Sequence, residues 1–244
     1  MLVSKVLSES GKDALRQERV ADYEDRALGY LKETFPEHHA RHGADIELAL
    51  IRSAYGTAKR RGIKRIRDHL QYLAITVYLG AGFERNPLHR HAIRRAGWLS
   101  ADGTALRISS FDMLFAWAGR WQELTALDTE PWPAAILHEE VLRLGAWPDE
   151  PAILDSLRAI WPNRAMAANP PDLLDFLRES QAFATSLALP QNETVFLTTA
   201  ALHLGSRFPQ DPRYQPLAAK MHPNSDAPRP TPESLMADLE GLSA

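Results

Sequence analysis

The sequence predicts an all-α protein, a multi-helix bundle of about ten helices with an internal duplication of a helical hairpin. Apolar residues recur at three- and four-residue steps through most of the chain, as expected for amphipathic helices. Pro and Gly separate these periodic segments, and alternating strand-like patterns are nearly absent. The short apolar run at Thr194–Leu197 is interpreted as the start of a buried helix.

The first helix is predicted from Ser10 to Phe35, and Pro36 ends it. Its apolar positions fall mostly at three- and four-residue steps: Leu15, Val20, Tyr23, Ala27, Leu28, Tyr30 and Leu31. The same patterns predict further helices over residues 45–61, 66–80, 86–96, 110–127, 131–145, 149–160, 170–186, 191–205 and 211–221, with a last short one from 232. We divide the chain into an N-terminal helical module (1–98), a Trp-rich second module (99–221), and a Pro-rich linker with a short C-terminal helix (222–244). That last helix is too short to be stable alone, so we expect it to dock on its own chain or on another.

An internal similarity appears at an offset of 125 residues. Leu79, Gly80, Phe83 and Pro87 match Leu204, Gly205, Phe208 and Pro212, while Gly62-Ile63 and Ala188-Leu189 lie 126 apart. The shared pattern is a helix that closes at a Gly, an aromatic residue, and a Pro that begins the next helix. We therefore expect two copies of one turn, each with a buried Phe. Chance similarity is the alternative, because this pattern is common among helical proteins.

Composition excludes several classes of protein. The 244 residues are 45% hydrophobic with a formal net charge of -3, which is ordinary for a globular chain. The absence of Cys excludes disulfides, thiolate metal sites and a Cys nucleophile. Charge is segregated, because residues 52–95 have a local net charge of +9 and residues 121–200 have one of -8.

The N-terminal residues turn polar too early for a secretory signal, and the sequence contains no run of 18 apolar residues. We therefore expect a cytoplasmic protein without a membrane partner.

Motifs for catalysis, metal binding and cofactor binding are missing from the sequence. His38 with His42, and His89 with His91, are the closest pairs, but the position that HEXXH requires after His138 holds Leu142. The sequence has no GxSxG elbow, no P-loop and no GxGxxG motif. Paired carboxylates such as Asp172 with Asp175 are expected to be solvated or to compensate a helix dipole. We predict no catalytic residues, no metal, no cofactor and no enzyme activity.

Two regions are candidates for partner binding. The first is the basic stretch from Lys59 to Arg67, and its candidate residues are Arg60, Arg61, Lys64 and Arg65. The basic residues favour an electrostatic contact. Nucleic acid is an alternative partner, made less favourable by the lack of interleaved aromatic residues. Solvated helix faces are the simplest explanation for most single charges.

The second region is rich in Trp, since five of the six Trp lie within residues 117–161. Trp117 and Trp121 share a helix face, and Trp132 is followed by Pro. Most of these side chains are expected in the core, but an excess of Trp is also typical of interface hot spots. We therefore add Trp117, Trp121 and Trp132 to the candidate partner-binding residues, with Trp121 expected to be exposed.

From Ala14 through Trp98 the chain resembles the helical module of proteins in bacterial type VI secretion effector cassettes. The shared features are the long first helix ending at Phe35-Pro36, the turn at Gly62-Ile63, and the closing Leu79-Gly80, Phe83 and Pro87 pattern. The family usually has an acidic residue after that Phe and another before the Pro. Here Glu84 occupies the first place but Asn86 the second, whereas the second copy has Asp211.

That module occurs as the C-terminal lobe of effector adaptor chaperones and as free-standing small proteins. The resemblance implies a non-enzymatic binding protein that accompanies an effector and helps load it on the VgrG or PAAR spike. The alternative is an immunity protein that binds and neutralises a cognate toxin. The implied partner in both cases is a protein, an effector or toxin encoded nearby.

Overall fold

The computed structural model describes residues 9–99, 111–129 and 150–221, together with Ser234 and Ala237. Over these residues the protein is all-α, as the sequence predicts, with ten α-helices and four short 3-10 helices. The helix predicted over 131–145 lies outside the described residues, and of the predicted C-terminal segment only Ser234 and Ala237 are described, both helical.

The α-helices in chain order are α1 (Glu9–Thr34), α2 (Pro36–Arg60), α3 (Ile66–Leu79), α4 (Arg90–Arg95), α5 (Asp112–Thr129), α6 (Glu150–Ile160), α7 (Pro162–Ala167), α8 (Pro170–Ser186), α9 (Gln191–Leu204) and α10 (Gln215–Lys220). The 3-10 helices are Phe83–Arg85, Pro87–His89, Phe208–Gln210 and Pro212–Tyr214.

The chain divides into two compact units, Met1–Leu73 and Ala74–Ala244, and the division falls inside α3. This division differs from the module boundary at residue 98 drawn from the sequence. In the first unit α1 packs against α2. The side chain of Arg52 donates two hydrogen bonds of 2.8 Å to the carboxylate of Glu24, so the two helices run antiparallel. The residues buried along this hairpin are Tyr23, Ala27, Leu31, Leu50, Ile51, Ala54 and Ala58.

In the second unit, α6 packs against α7, α8 and α9, while α5 contacts α4 and α7. The core of this unit is aromatic as well as aliphatic, and its largest fully buried apolar side chains are Phe83, Trp161, Phe176, Phe196 and Phe208. The segment at Thr194–Leu197 lies inside α9, which confirms the helical interpretation of that apolar run.

The internal repeat is more extensive than the sequence comparison indicates. The elements from Phe35 to Arg95 match those from Trp161 to Lys220 one by one, at an offset of 126 up to the turn after α2 and of 125 from α3 onward. Helices α3 and α9 both have 14 residues, and α4 and α10 both have six. Phe83 and Phe208 are each 1% exposed, which confirms the expected burial of both aromatic rings.

The start of α2 and the short helix α7 differ from the prediction. Helix α2 begins at Pro36 rather than near residue 45, because the chain continues helically on both sides of a kink at Gly43 (φ 73°, ψ 168°). The short helix α7 was not predicted. Gly43 corresponds in the repeat to Asn169, which separates α7 from α8, so the same break occurs in both copies. A short helix between two breaks is hard to detect by periodicity because it spans less than two turns.

Candidate functional site

The basic turn, defined here as Lys59–Arg67, is built on a Schellman motif at the end of α2. The N–H of Gly62 donates to the carbonyl of Lys59 (3.0 Å), and that of Ile63 donates to Ala58 (3.1 Å). Gly62 has φ 76°, the left-handed conformation that this motif requires. Ile63 is buried. The backbone hydrogen bonds and one buried apolar side chain therefore hold the turn.

The basic side chains surround this fixed turn. Arg60, Lys64 and Arg65 are exposed, and Arg61 is half-buried. Arg60 donates a 2.8 Å hydrogen bond to the Thr57 hydroxyl. Over the residues that the structure describes, Arg60, Lys64 and Arg65 form no ion pair. The structure thus brings the four basic candidates of the sequence analysis together at one surface.

The second copy of the turn has the same backbone but different side chains. The N–H groups of Ala188 and Leu189 donate to Thr185 (3.0 Å) and Ala184 (3.2 Å), which reproduces both bonds of the first copy. Ala188 adopts φ 50°, although a non-Gly residue is strained there. Residues 185–193 contain no Lys or Arg. The cations of the basic turn are therefore not a requirement of this fold.

Trp117 and Trp121, the two Trp candidates that the structure describes, do not form a free surface. Trp121 is only 5% exposed, so the expectation that it is exposed is wrong. The centroid of the Trp121 ring lies 4.7 Å from that of His89, and the two rings meet edge to face. The half-buried Trp117 ring has its centroid 5.7 Å from that of Trp121. Trp132 lies outside the described residues. Trp117 and Trp121 do lie on one face of α5, as their i,i+4 spacing predicts. That face packs against the buried side chain of His89.

His89 is held neutral at the centre of this aromatic cluster. The indole N–H of Trp117 donates to its Nδ1 (3.2 Å), so the ring hydrogen is on Nε2. Burial lowers the pKa of His89 to about 3, against a smaller opposing effect of the Leu79 carbonyl. This His is therefore a structural group of the core and not a partner of the exposed His91.

The two closing turns of the second unit pack against each other. A Cβ placed on Gly80 would lie 3.5 Å from the carbonyl oxygen of Leu204, and one on Gly205 would lie 3.7 Å from that of Leu79. Both Gly residues have positive φ, 90° and 96°. The repeated Gly therefore serves the contact between the two copies as well as the end of each helix.

Asp211 and Arg213 connect these turns through a buried ion pair. Asp211 accepts a bond from the N–H of Ala81 (2.8 Å) and two from the Arg213 guanidinium (3.0 and 2.7 Å). Arg213 also donates to the carbonyl of Val77 (2.9 Å). Burial by itself would raise the pKa of Asp211, but Arg213 outweighs this and the pKa is lowered. The acidic position before Pro therefore stabilises the packing of the two copies.

The first unit contains a buried polar cluster that the sequence analysis missed. Glu47 is fully buried, and its two oxygens accept from the Nδ1 atoms of His38 (3.0 Å) and His39 (2.6 Å). His42 lies against the His38 ring at 4.5 Å. Glu47 falls in register with the apolar residues Leu50 and Ile51 of α2, and this spacing was the signal available in the sequence. The cluster stabilises the kinked start of α2.

A second buried cluster joins α5, α7 and α9. The Asp128 carboxylate accepts hydrogen bonds from the backbone N–H groups of Asn163 (2.9 Å) and Arg164 (3.0 Å). These N–H groups lie in the first turn of α7, where they have no partner within the helix. Arg164 is fully buried and donates to Nδ1 of His203 (2.6 Å). Burial lowers the pKa of Arg164 to about 10, and burial followed by Arg164 lowers that of His203 well below its usual value. The cluster has a structural role.

Carboxylates of α8 bind Arg90, the first residue of α4. Arg90 donates to Asp172 (3.3 Å) and to Asp175, and lies 3.7 Å from Glu179. Asp172 is 6% exposed. Asp172 is therefore not solvated, because it binds Arg90 at the start of α4. It does lie in the first turn of α8, where a carboxylate compensates the helix dipole, which is the other role expected from the sequence.

Within the described ranges, no three His, Asp or Glu side chains are arranged to bind a metal ion, and no helix there has the length and apolar character needed to cross a bilayer. We take the basic turn as the candidate site, because Arg60, Lys64 and Arg65 are exposed and form no ion pair with the residues that the structure describes. Compared with known proteins, the chain matches no family model, no curated protein and no solved structure.

Proposed function

We propose that this protein is a cytoplasmic, non-enzymatic binding protein of a type VI secretion effector cassette, and that it helps load an effector on the VgrG or PAAR spike. The loading role rests on the resemblance of residues 14–98 to the module of effector adaptors. The binding role rests on the basic turn, and the partner is an effector protein encoded nearby.

The observation that carries the binding role is the contrast between the two copies of one turn. Both copies end a helix with the same two backbone hydrogen bonds, yet only the first copy has Lys and Arg. Folding therefore does not account for these charges. Exposed cations of this kind accelerate encounter with an acidic partner and make it sensitive to salt.

The test is co-expression with the effector and the spike protein encoded beside this gene, followed by affinity purification and binding kinetics. We expect a complex that contains effector and spike, with an association rate that falls as salt rises. The variant Arg60→Glu/Arg65→Glu should slow association by about tenfold or more at low salt. The control is Arg94→Glu/Arg95→Glu, which changes the net charge equally at two exposed positions of α4.

Other outcomes contradict the loading role. A complex that neutralises the toxicity of the effector and excludes the spike protein would replace loading with immunity. Failure to bind either neighbouring product would remove both roles.

A further inference from the structure

The basic turn carries one exposed apolar side chain among its cations. Ile66 begins α3 and is 45% exposed, between the exposed side chains of Arg65 and Arg67. Lys64, also exposed, precedes them. Ile66 is therefore an exposed apolar residue between two exposed cations of the sequence. Ile63, three residues earlier, is buried instead and anchors the turn.

The cations at the start of α3 oppose the stability of that helix. Helix N-termini favour negative charge, so Asp68 in the first turn of α3 is in a favourable place but Lys64, Arg65 and Arg67 are not. Lys59 and Arg60, in the last turn of α2, are in favourable places. In the second copy, Pro190 and Asn192 occupy the places of Arg65 and Arg67. Residues that cost stability, and that the other copy lacks, are typical of a functional surface.

We infer that the basic turn docks an acidic protein segment that carries an apolar side chain among its carboxylates, with Ile66 as the apolar contact. This inference rests on the proposed binding function and adds the chemistry of the segment that is bound. Charge complementarity supplies the acidic character of the partner, and the exposed Ile supplies its apolar residue.

A protein segment fits this surface better than nucleic acid does. Proteins that bind single strands stack bases on aromatic side chains, and residues 59–67 contain none. A phosphate backbone also offers nothing apolar to Ile66, whereas protein interfaces combine an apolar centre with a polar rim.

The test uses the full chain and three probes: a synthetic acidic helical peptide with one central Leu, the same peptide with Gln in place of that Leu, and a DNA duplex of equal net charge. Affinities are measured by calorimetry at two salt concentrations. We expect the Leu peptide to bind best, with a loss of about tenfold or more for Arg60→Glu/Arg65→Glu and little change for Arg94→Glu/Arg95→Glu. The variant Ile66→Gln should weaken the Leu peptide but not the Gln peptide.

A variant that gains stability separates binding from folding. Arg65→Asp/Arg67→Asn places a capping carboxylate at the start of α3, so we expect the melting temperature to rise while peptide binding is lost. Tighter binding of the duplex than of the Leu peptide, or equal loss for both peptides with Ile66→Gln, would overturn the inference. Self-association that disappears in Arg60→Glu/Arg65→Glu would also overturn it, in favour of a second copy of this chain. Because the peptides are synthetic, this result is independent of whether the neighbouring effector binds.

Discussion

Gly80 and Gly205 occupy equivalent positions in the two copies of the repeat, and each faces the carbonyl that precedes the other. A Cβ on Gly80 would meet the Leu204 oxygen at 3.5 Å, and a Cβ on Gly205 would meet the Leu79 oxygen at 3.7 Å. The second unit is therefore organised around a reciprocal contact between two related turns. Gly is favoured at both positions because φ is positive there. A side chain would also have to fit against the backbone of the other turn.

Replacing either Gly by Ala should destabilise the protein. We expect a loss of about 1 to 3 kcal/mol in the free energy of unfolding, with Gly205→Ala the larger, because its φ of 96° and ψ of 145° are accessible essentially only to Gly. The control is Gly119→Ala within α5, where an added Cβ meets nothing within 4 Å and should stabilise the helix. Urea denaturation measures all three. A loss at Gly119 as large as that at Gly80 would show that the contact between turns has no special role.

The two Schellman turns predict opposite effects of reciprocal substitutions. Gly62→Ala should destabilise by about 1 kcal/mol, because it places a Cβ at φ 76° even though the space around it is open. Ala188→Gly should stabilise by a similar amount, since Ala188 is strained at φ 50°. Melting temperatures measured by circular dichroism test the pair. The same sign of change in both variants would contradict the left-handed conformation of one of them.

The buried ion pair predicts a rescue by the residues of the other copy. Asp211→Asn leaves Arg213 buried without its carboxylate and should cost about 3 to 5 kcal/mol. The first copy has Asn86 and Leu88 in these places, so Asp211→Asn/Arg213→Leu should recover much of that loss. Unfolding free energies of the two variants and of Arg213→Leu complete a double-mutant cycle. A double variant no more stable than Asp211→Asn would show that the two residues act separately.

His89 predicts a loss of stability in mild acid. Its pKa is about 3 in the folded state and about 6.5 when unfolded, so the unfolded chain binds more protons between these values. The contribution of neutral His89 to the free energy of unfolding is therefore complete above pH 6.5. It falls as the pH decreases toward 3, by up to about 1.4 kcal/mol per pH unit.

Unfolding measured by Trp fluorescence from pH 7 to 5 provides the test. His89→Gln should flatten this pH dependence, whereas His91→Gln, at an exposed neighbour, should not. His203 is buried with a lowered pKa and contributes in the same direction, so some slope remains. An unchanged slope in His89→Gln would mean that His89 is protonated in the folded protein.

The sequence by itself determined most of the described helices, most of their ends and the repeated turn. Pro36, Gly62, Gly80 and Gly205 act within a few residues of where they stand, so their effects on the backbone can be inferred locally. The charge run also located the candidate site, because a cluster of adjacent cations is visible in the sequence without any fold.

Tertiary structure alone decided which polar and Trp side chains are buried and which residues they contact. Asp211 binds the N–H of Ala81, 130 residues away, and Trp121 packs on His89. Glu47 is buried with both carboxylate oxygens hydrogen-bonded to two His side chains from the other side of a kink. Helical periodicity specifies a face but not the partner of that face, since packing depends on residues that are distant in the chain. The structure also shows that the basic turn and its uncharged copy have the same backbone hydrogen bonds. Only this comparison indicates that the charges are not needed for the turn to fold.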